Sequence, residues 1–443
     1  MNDAIVRPGR GDGNRALLER DERVFFRQAG STPCLAAIRR AEGIWLEDVT
    51  GHRFMDFHGN NVHHVGYGHP RLVDAVVRQI GALPFTPRRF TDEAAIELAE
   101  KLVGMWPGGR AGKVLLATGG SDAIEIALKL ARVATGRYKT ISFYGSYHGS
   151  GLGALSVGGR YRDRSPRLGP LLPGALHVPP FYGLYRAPGV PAPDAEEWAR
   201  LSLESVRTIF REEGDIAAMV AEPIRSTPYV PPAWYWPEIR ALCDDNGTLL
   251  IFDEIPTGLG KTGRLFASEH VGVRPDMTVL GKSLGGGMLP LAAVIADGAL
   301  DVAPELSLGH YTHEKNPVTA RAALATIEII EAEGLVENAR RVGAMALERL
   351  RAIERRCPLV RAVRGIGLLL AIDVGAEDRS GRTDEEVARS IAFRLLERGV
   401  GVSYGSDGVI TMSAPLVITE AEMTSALDRL AQTIEDEQRA IAS

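Results

Sequence analysis

The chain has 443 residues, of which 45% are hydrophobic and 24% are charged, and its formal net charge at pH 7 is -5. This length and composition allow a large core divided between two domains, and the weak negative charge excludes a general attraction to nucleic acid or acidic membranes. No apolar run is long enough to span a bilayer, and the N-terminus is too charged for a signal peptide. We therefore expect a cytoplasmic protein whose partner is a small molecule.

Neither the cysteines nor the histidines follow a metal-binding pattern. The three cysteines, Cys34, Cys243 and Cys357, lie far apart along the chain, which predicts ordinary thiols. Five histidines lie between His52 and His69, but their spacing matches no tight set of metal ligands. We therefore predict no disulfide framework and no metal site.

The predicted elements begin with short strand signals in residues 43–57 and continue with an alternation of strands and helices. The apolar runs that predict buried strands are Val114–Ala117, Thr140–Phe143, Ala217–Ala221, Thr248–Phe252 and Thr278–Leu280. This alternation predicts a mostly parallel sheet with helices on both faces. From about residue 325, long charged helices surround a strand-like segment at 367–374. We predict a large domain at 66–325 and a small domain built from 1–65 and 326–443.

Four of the apolar runs end in polar or glycine-rich residues. These are Thr118 to Ser121, Glu222, Asp253 and Lys282. Ligands of open α/β sheets bind beyond the carboxyl ends of the strands, so we expect these residues to meet in one crevice. Taken singly, an aspartate there is more often a helix cap and a lysine is more often solvated. Only the combination predicts a site.

This combination suits a cofactor that carries an aldehyde, a pyridine ring and a phosphate. Lys282 can supply the amine for a Schiff base, and Asp253 can pair with the pyridine nitrogen. Gly120 and Ser121 open a predicted helix, whose free N–H groups and positive dipole end suit a phosphate. A plain turn with a helix cap is the alternative interpretation of these two residues. Tyr147 can stack on the ring.

These segments resemble the class III aminotransferases over nearly the whole chain. The resemblance is carried by residues 40–57, 66–70, 119–132, 147–149, 221–223, 249–266, 275–287 and 310–317. It implies a pyridoxal-phosphate-dependent transferase of fold type I, an α/β fold whose large domain holds a mostly parallel seven-stranded sheet beside a smaller α+β domain. It also implies a homodimer with shared active sites.

The resemblance further implies a set of site residues, with Lys282 and Asp253 as the catalytic pair. The cofactor-binding residues that it implies are Gly120, Ser121, Tyr147, His148, Glu222, Asp253, Ile255, Lys282 and Thr312. Thr312 stands in the position of a family threonine that binds the phosphate of the neighbouring subunit's cofactor.

Three departures from the family's pattern bear on the reaction. Members that use a 2-oxo acid commonly carry an arginine where this chain has Thr411, and a glutamate partner of that arginine where it has Thr227. Losing one such charge-assisted bond, worth about 1.5 to 3 kcal/mol, weakens binding roughly tenfold to a hundredfold. Pro256 replaces a glutamine that other members place against the cofactor. A lyase needs no 2-oxo acid, so these changes favour elimination.

Polar residues elsewhere in the chain are candidates for binding an anionic group of the substrate. They are Arg88, Arg89, Asn61, His63, Arg225 and Lys315, although arginines in a loop are more often solvated. Segments 56–70, 84–90, 252–263 and 308–317 most resemble the branch of the superfamily that releases ammonia from small amino-phosphonates.

Two enzymatic hypotheses therefore stand side by side. In the first, Lys282 removes a proton from the amine-bearing carbon and a neighbouring hydroxyl leaves, protonated by Tyr147, His63, Lys282 or water. In the second, an aminotransferase acts on an amine or ω-amino acid, with Arg88, Arg89 or Arg225 replacing the missing clamp. A ligand-sensing regulator is disfavoured, because the segment before Cys34 has no room for a helix-turn-helix domain.

Overall fold

The computed structural model describes residues 12–28, 34–107, 111–183, 194–375 and 381–442. It divides into two compact units. Unit 1 comprises Met1–Pro70, Lys261–Gly263 and Gly334–Ser443, and unit 2 comprises Arg71–Gly260 and Arg264–Glu333. Both ends of the chain thus contribute to unit 1, together with a three-residue segment from the middle.

The described part of the chain forms α-helices and strands with the following bounds. The α-helices are α1 (Asp12–Val24), α2 (Pro70–Ala82), α3 (Glu93–Met105), α4 (Gly120–Thr135), α5 (Leu152–Val157), α6 (Ala195–Glu212), α7 (Tyr235–Asp245), α8 (Ser268–Val271), α9 (Pro317–Ala332), α10 (Leu335–Arg356), α11 (Asp384–Glu397) and α12 (Glu420–Ala442). The strands are β1 (Ile38–Glu42), β2 (Trp45–Asp48), β3 (Arg53–Asp56), β4 (Gly112–Ala117), β5 (Lys139–Phe143), β6 (Ala175–Val178), β7 (Ile216–Ala221), β8 (Leu249–Asp253), β9 (Met277–Leu280), β10 (Ala292–Asp297), β11 (Val360–Ile366), β12 (Leu369–Val374), β13 (Val400–Gly401), β14 (Ser403–Tyr404) and β15 (Val409–Ser413).

Unit 2 is organised around a seven-stranded sheet with the order β4-β10-β9-β8-β7-β5-β6. Neighbouring strands are parallel except at β10, which runs antiparallel to both β4 and β9. Every residue of β7 and of β9 is buried, which explains why these strands read as continuous apolar runs. The predicted fold class, a mostly parallel seven-stranded α/β fold, is confirmed.

Helix α4 packs its apolar face on this sheet. Ile126 and Ala127 of the helix lie in one buried cluster with Val220 of β7 and Val279 of β9. The helix ends at Gly136, whose φ of 67° lies in the left-handed region that favours glycine. The helical spacing of small and branched apolar residues therefore fixes which side of α4 faces the sheet.

Unit 1 contains two four-stranded sheets, with the orders β1-β2-β3-β13 and β11-β12-β15-β14. The first sheet joins the two chain ends, because β13 pairs in parallel with β3 through Val400 and Met55. The segment Lys261–Gly263 is joined to the rest of unit 1 by a backbone hydrogen bond, in which the carbonyl of Lys261 accepts the N–H of Leu368 at 3.0 Å. Gly367 has a φ of 54°, and a Cβ there would lie 2.4 Å from the carbonyl carbon of Thr262. Glycine is therefore required at that position.

The ammonium of Lys261 is fully buried and donates to the carbonyl of Ala414 at 2.6 Å. Burial lowers the pKa of Lys261 to about 7, although the nearby Asp56 opposes this shift. At a pH between that value and the ordinary pKa of lysine, Lys261 is protonated in the unfolded chain and mostly neutral in the folded one. The free energy of unfolding should therefore rise with pH across this window. The slope contributed by one such group is at most about 1.4 kcal/mol per pH unit.

We expect Lys261→Met to flatten this pH dependence. Urea unfolding of the wild-type protein should show a higher midpoint at about pH 9.5 than at about pH 7, and the variant should show much less difference. Exposed Lys113 provides the control, and Lys113→Met should keep the wild-type slope. A wild-type slope that persists in Lys261→Met would assign the pH dependence to another group.

Three further observations concern the described residues as a whole. Among the helices of those residues, none combines the length and apolar character needed to cross a bilayer, and a cytoplasmic location stays a prediction. Within the same ranges, no group of three or more His, Cys, Asp or Glu side chains is arranged to hold a metal ion. Cys34, Cys243 and Cys357 are not joined in disulfides within the described residues.

Candidate active site

The loops that follow the central strands of unit 2 meet at one edge of the sheet, as expected. Strands β8 and β9 are parallel neighbours, so Asp253 at the end of β8 and Lys282 just after β9 lie at the same edge. Ile255 lies between the loops. A Cβ on Gly120 would come within 2.8 Å of the Ile255 side chain, and one on Gly281 within 3.3 Å. The start of α4 and the two loops are thus in direct contact.

The carboxylate of Asp253 is buried and held from two sides. Its Oδ2 lies 2.7 Å from Nδ1 of His148, and its Oδ1 accepts the N–H of Ile255 at 3.0 Å. Because an ionised carboxylate only accepts hydrogen bonds, Nδ1 of His148 carries the proton in this pair. Among the described residues, Nε2 of His148 has no hydrogen-bond partner. A fixed buried carboxylate of this kind suits a partner that carries a proton on a ring nitrogen.

Lys282 has two features of a reactive amine. Burial lowers the pKa of its ammonium, and the neighbouring Asp253 and Glu222 only partly oppose this shift. Its φ is 46°, in the left-handed region that a side chain other than glycine adopts at a cost. A lowered pKa increases the neutral fraction of the amine, which is the nucleophilic form.

The start of α4 has the geometry of an anion cradle. The helix begins at Gly120, and its cap residue Gly119 supplies no side-chain hydrogen bond to the first turn. The free N–H groups of that turn are therefore open to an anionic ligand. Ser121 Oγ accepts the N–H of Ser150 at 3.0 Å, and a Cβ on Gly149 would lie 2.7 Å from that same oxygen. Glycine at 149 thus makes room for the Ser121 hydroxyl.

Two of the predicted cofactor contacts are exposed in unit 2. Tyr147 is 36% exposed, and its hydroxyl lies 3.0 Å from Ser150 Oγ. Thr312 is exposed in the turn before α9. Stacking by Tyr147 and the contribution of Thr312 to a neighbouring subunit both stay predictions.

Three of the predicted substrate cations are exposed in unit 2. Arg88 and Arg89 occupy a turn closed by the N–H of Phe90, which donates to the carbonyl of Pro87 at 3.0 Å. Arg89 has a φ of 76°, where glycine is ordinarily favoured. Lys315 is also exposed. Such strain in an exposed arginine is a feature that often accompanies a functional role.

The fourth predicted cation, Arg225, is already paired. One guanidinium nitrogen donates to Glu222, and another donates to the carbonyl of Gly145 at 2.8 Å. Glu222 also accepts the N–H of Ser226 at 2.7 Å. The pair borders a small, partly open pocket lined by Phe143, Ser146, Phe181, Tyr182, Glu222 and Arg225. Sequence patterns did not reveal this ion pair.

The remaining two candidates, Asn61 and His63, belong to unit 1. Gly59, Asn60 and Asn61 form a turn with positive φ throughout, and Ser413 donates its hydroxyl to the Asn61 side chain. His63 lies beneath this turn with Nε2 3.0 Å from the carbonyl of Asp56. Burial lowers the pKa of His63 to about 4, so its ring is neutral at pH 7 and cannot attract an anion by charge.

A half-buried lysine, a fixed carboxylate and a helix-end cradle at one sheet edge are the groups that an aldehyde cofactor with a ring nitrogen and a phosphate would need. The model of the class III aminotransferase family matches residues 26–434, and this chain belongs to that family. Its members are pyridoxal phosphate enzymes, so the predicted family and the predicted cofactor are confirmed.

Individual relatives differ in activity. An (R)-1-hydroxy-2-aminoethylphosphonate ammonia-lyase of Vibrio splendidus is 40% identical over 94% of this chain and 89% of that protein. An alanine/serine racemase of Pyrococcus horikoshii is 35% identical over 98% of this chain and 92% of that protein. An amine transaminase from an uncultivated Pseudomonas species, solved in its PLP-bound form, has a TM-score of 0.85 and 31% identity, covering 93% of this chain and 98% of its own.

Proposed function

We propose that this enzyme is an ammonia-lyase that converts a small amino-phosphonate such as (R)-1-hydroxy-2-aminoethylphosphonate to phosphonoacetaldehyde and ammonia. The observation that carries the proposal is the pair of neutral residues, Thr411 and Thr227, at positions where the family's 2-oxo acid users carry an arginine and its glutamate partner. The 40% identity to the Vibrio splendidus ammonia-lyase supports the same substrate class. An aminotransferase acting on an amine or ω-amino acid is the alternative, and the Pseudomonas amine transaminase supports it.

Each residue of the proposed site has a separate role in the reaction. Bound pyridoxal phosphate supplies the electron sink for negative charge that develops on the amine-bearing carbon. Lys282 Nζ takes the proton from that carbon, and its lowered pKa provides the neutral amine this step needs. Asp253, oriented by His148, keeps the proton on the cofactor's ring nitrogen. The backbone N–H groups at the start of α4 and the hydroxyl of Ser121 hold the phosphate.

The overall reaction balances without an added oxidant or reductant. The substrate loses a proton from the amine-bearing carbon and the hydroxyl from the adjacent carbon, which together amount to one water. Water then adds to the resulting imine carbon as ammonia leaves. No amino acceptor takes part, which is consistent with neutral residues at 411 and 227.

Product formation without a 2-oxo acid tests the proposal. With the amino-phosphonate alone, we expect ammonia and aldehyde to form together over many turnovers. An aminotransferase would form at most one equivalent of carbonyl product per site and no ammonia, until a 2-oxo acid is added. A racemase would form neither product from this substrate, because the amine-bearing carbon carries two hydrogens and has no configuration to invert. A panel of amino-phosphonates, amino-alcohol phosphates and ω-amino acids identifies the preferred substrate.

Thr411→Arg should restore part of the missing carboxylate clamp. Thr411 lies on β15 opposite Ala371, with a half-buried side chain. One charge-assisted bond is worth about 1.5 to 3 kcal/mol, so inhibition by a 2-oxo acid should become roughly tenfold to a hundredfold stronger. Thr411→Gln provides a long neutral control and should change inhibition little. Equal effects of the two substitutions would show that charge at this position does not govern 2-oxo acid binding.

We propose that Arg88, Arg89 and Lys315 attract the phosphonate of the substrate, with the buried Arg225 as a further candidate. Arg89→Gly should remove the positive-φ strain, stabilising the fold by up to about 1 kcal/mol, and should raise the KM for the amino-phosphonate. Thermal unfolding and steady-state kinetics measure the two effects. Arg162, an exposed arginine in the short 3-10 helix Tyr161–Arg164, provides the control, and Arg162→Gly should leave the KM unchanged. An unchanged KM in Arg89→Gly would remove this arginine from the substrate site.

We also propose that the enzyme works as a homodimer. The support within unit 2 is an apolar stripe on α2, where Val73, Val77 and Ile80 are 36%, 62% and 51% exposed. Exposed apolar residues at this helical spacing are typical of a surface covered by another protein chain. Light scattering should give twice the chain mass of 47.8 kDa. A monomeric mass at micromolar concentration would contradict the dimer.

A further inference from the structure

A cation lies on the ring of Tyr147 in unit 2, at a position that no sequence motif indicated. The guanidinium carbon of Arg160 is 3.9 Å from the centroid of the Tyr147 ring. Nε of Arg160 donates to Asp163 at 2.5 Å, which holds the guanidinium in place. The contact is short for a cation–π pair, whose partners interact within about 6 Å.

The backbone beside this contact explains why Arg160 lies there. Gly159 donates its N–H to the carbonyl of Ser146 at 2.9 Å, and its carbonyl accepts the N–H of Gly145 at 3.0 Å. A Cβ on Gly159 would lie 2.1 Å from the carbonyl oxygen of Phe143, so only glycine permits this approach. The two hydrogen bonds align the residue after Gly159 with Tyr147, which follows Ser146.

Tyr147 is also tied to the predicted phosphate cradle. Its hydroxyl lies 3.0 Å from Ser150 Oγ, and the N–H of Ser150 donates to Ser121 Oγ at 3.0 Å. Asp163, Arg160, Tyr147, Ser150 and Ser121 therefore form one continuous chain of contacts. A change at Arg160 can therefore affect Tyr147 and Ser121, the two side chains predicted to contact the cofactor's ring and phosphate.

We propose that Arg160 is a positioning residue that fixes the plane of Tyr147 for stacking on the cofactor. The proposal rests on the proposed function, in which pyridoxal phosphate binds at this site, and on the predicted stacking of Tyr147 on its ring. Arg160 already holds one face of the phenol ring. The opposite face is then available for stacking, and the ring loses less rotational freedom when the cofactor binds. Lysine would keep the charge but lack the flat guanidinium that stacks on the ring, so it should replace arginine only in part.

Titration of the full-length apo-protein with pyridoxal phosphate tests this role. Arg160→Met should weaken cofactor affinity about three- to tenfold and reduce the visible circular dichroism of the bound cofactor, and Arg160→Lys should fall between it and wild type. Arg162→Met is the matched control, because Arg162 pairs with the same Asp163, at 3.8 Å, and its guanidinium lies over no aromatic ring within the described residues. It should leave both measurements unchanged.

A double-mutant cycle separates positioning from simple structural support. In a Tyr147→Leu background, Arg160→Met should change cofactor affinity by less than about twofold, because the ring through which Arg160 acts is gone. Equal affinity in Arg160→Met and Arg162→Met overturns the proposal, as does an undiminished effect of Arg160→Met in the Tyr147→Leu background. These outcomes are distinct from failure of the proposed function, in which the wild-type protein would bind the cofactor yet release no ammonia.

Discussion

Replacing Lys282 with alanine is expected to lower the turnover of the amino-phosphonate by at least about a thousandfold. The substitution removes the amine that we propose to attach the cofactor and to take the proton from carbon. Burial lowers the pKa of this lysine, and the neighbouring Asp253 and Glu222 partly oppose that shift. Turnover measured as ammonia release gives the size of the effect.

Small amines provide an internal control for the Lys282→Ala variant. Methylamine can enter the space left by the side chain and accept the proton, so added methylamine should restore a small part of the rate. Ser283→Ala, at the next position, which is buried, should retain most of the activity. If Lys282→Ala keeps a rate within tenfold of wild type, another group performs the proton transfer.

The second large effect is expected from Asp253→Asn. The amide oxygen of asparagine can still accept the Nδ1–H of His148, so the packing around this buried pair should survive. The negative charge that keeps a proton on the ring nitrogen is lost. Removing one preorganised electrostatic contact from an active site typically lowers kcat by about a hundred- to a thousandfold, and we expect a loss of that size here.

Asp276→Asn is the matched control for this substitution. Asp276 pairs with Arg240 at 2.7 Å elsewhere in unit 2, so its loss should lower the unfolding midpoint and leave kcat nearly unchanged. His148→Asn should slow the enzyme less in the Asp253→Asn background than in wild type, because the histidine acts through the carboxylate. Additive effects of the two substitutions would show that His148 does not orient Asp253.

The sequence predicted the middle of the fold because its strands are buried on both faces. Strands β5, β7, β8 and β9 lie within one or two residues of their predicted apolar runs. Strand β6 was not predicted, since Ala175–Val178 is short and contains a histidine. The number of strands came from the family resemblance and not from the hydrophobic pattern.

The sequence predicted the site residues that directly follow strands. It did not predict contacts between residues that lie far apart along the chain. Asp253 and Lys282 stand directly after apolar runs, so local pattern reveals them. His148 and Asp253 are 105 residues apart, and Lys261 and Ala414 are 153 residues apart, so no spacing rule joins them. Arg160 was missed for the same reason, because its role depends on a backbone pairing made by the preceding glycine.

The central claim is that Lys282 attaches the cofactor through its side-chain amine. Reduction of the reconstituted protein with borohydride traps this bond, and peptide mass spectrometry locates the modified lysine. We predict a pyridoxyl phosphate adduct on the peptide that contains Lys282 and none on the peptide that contains Lys261, a fully buried lysine whose pKa is also lowered. An unmodified Lys282 in reduced, fully loaded protein would contradict the account.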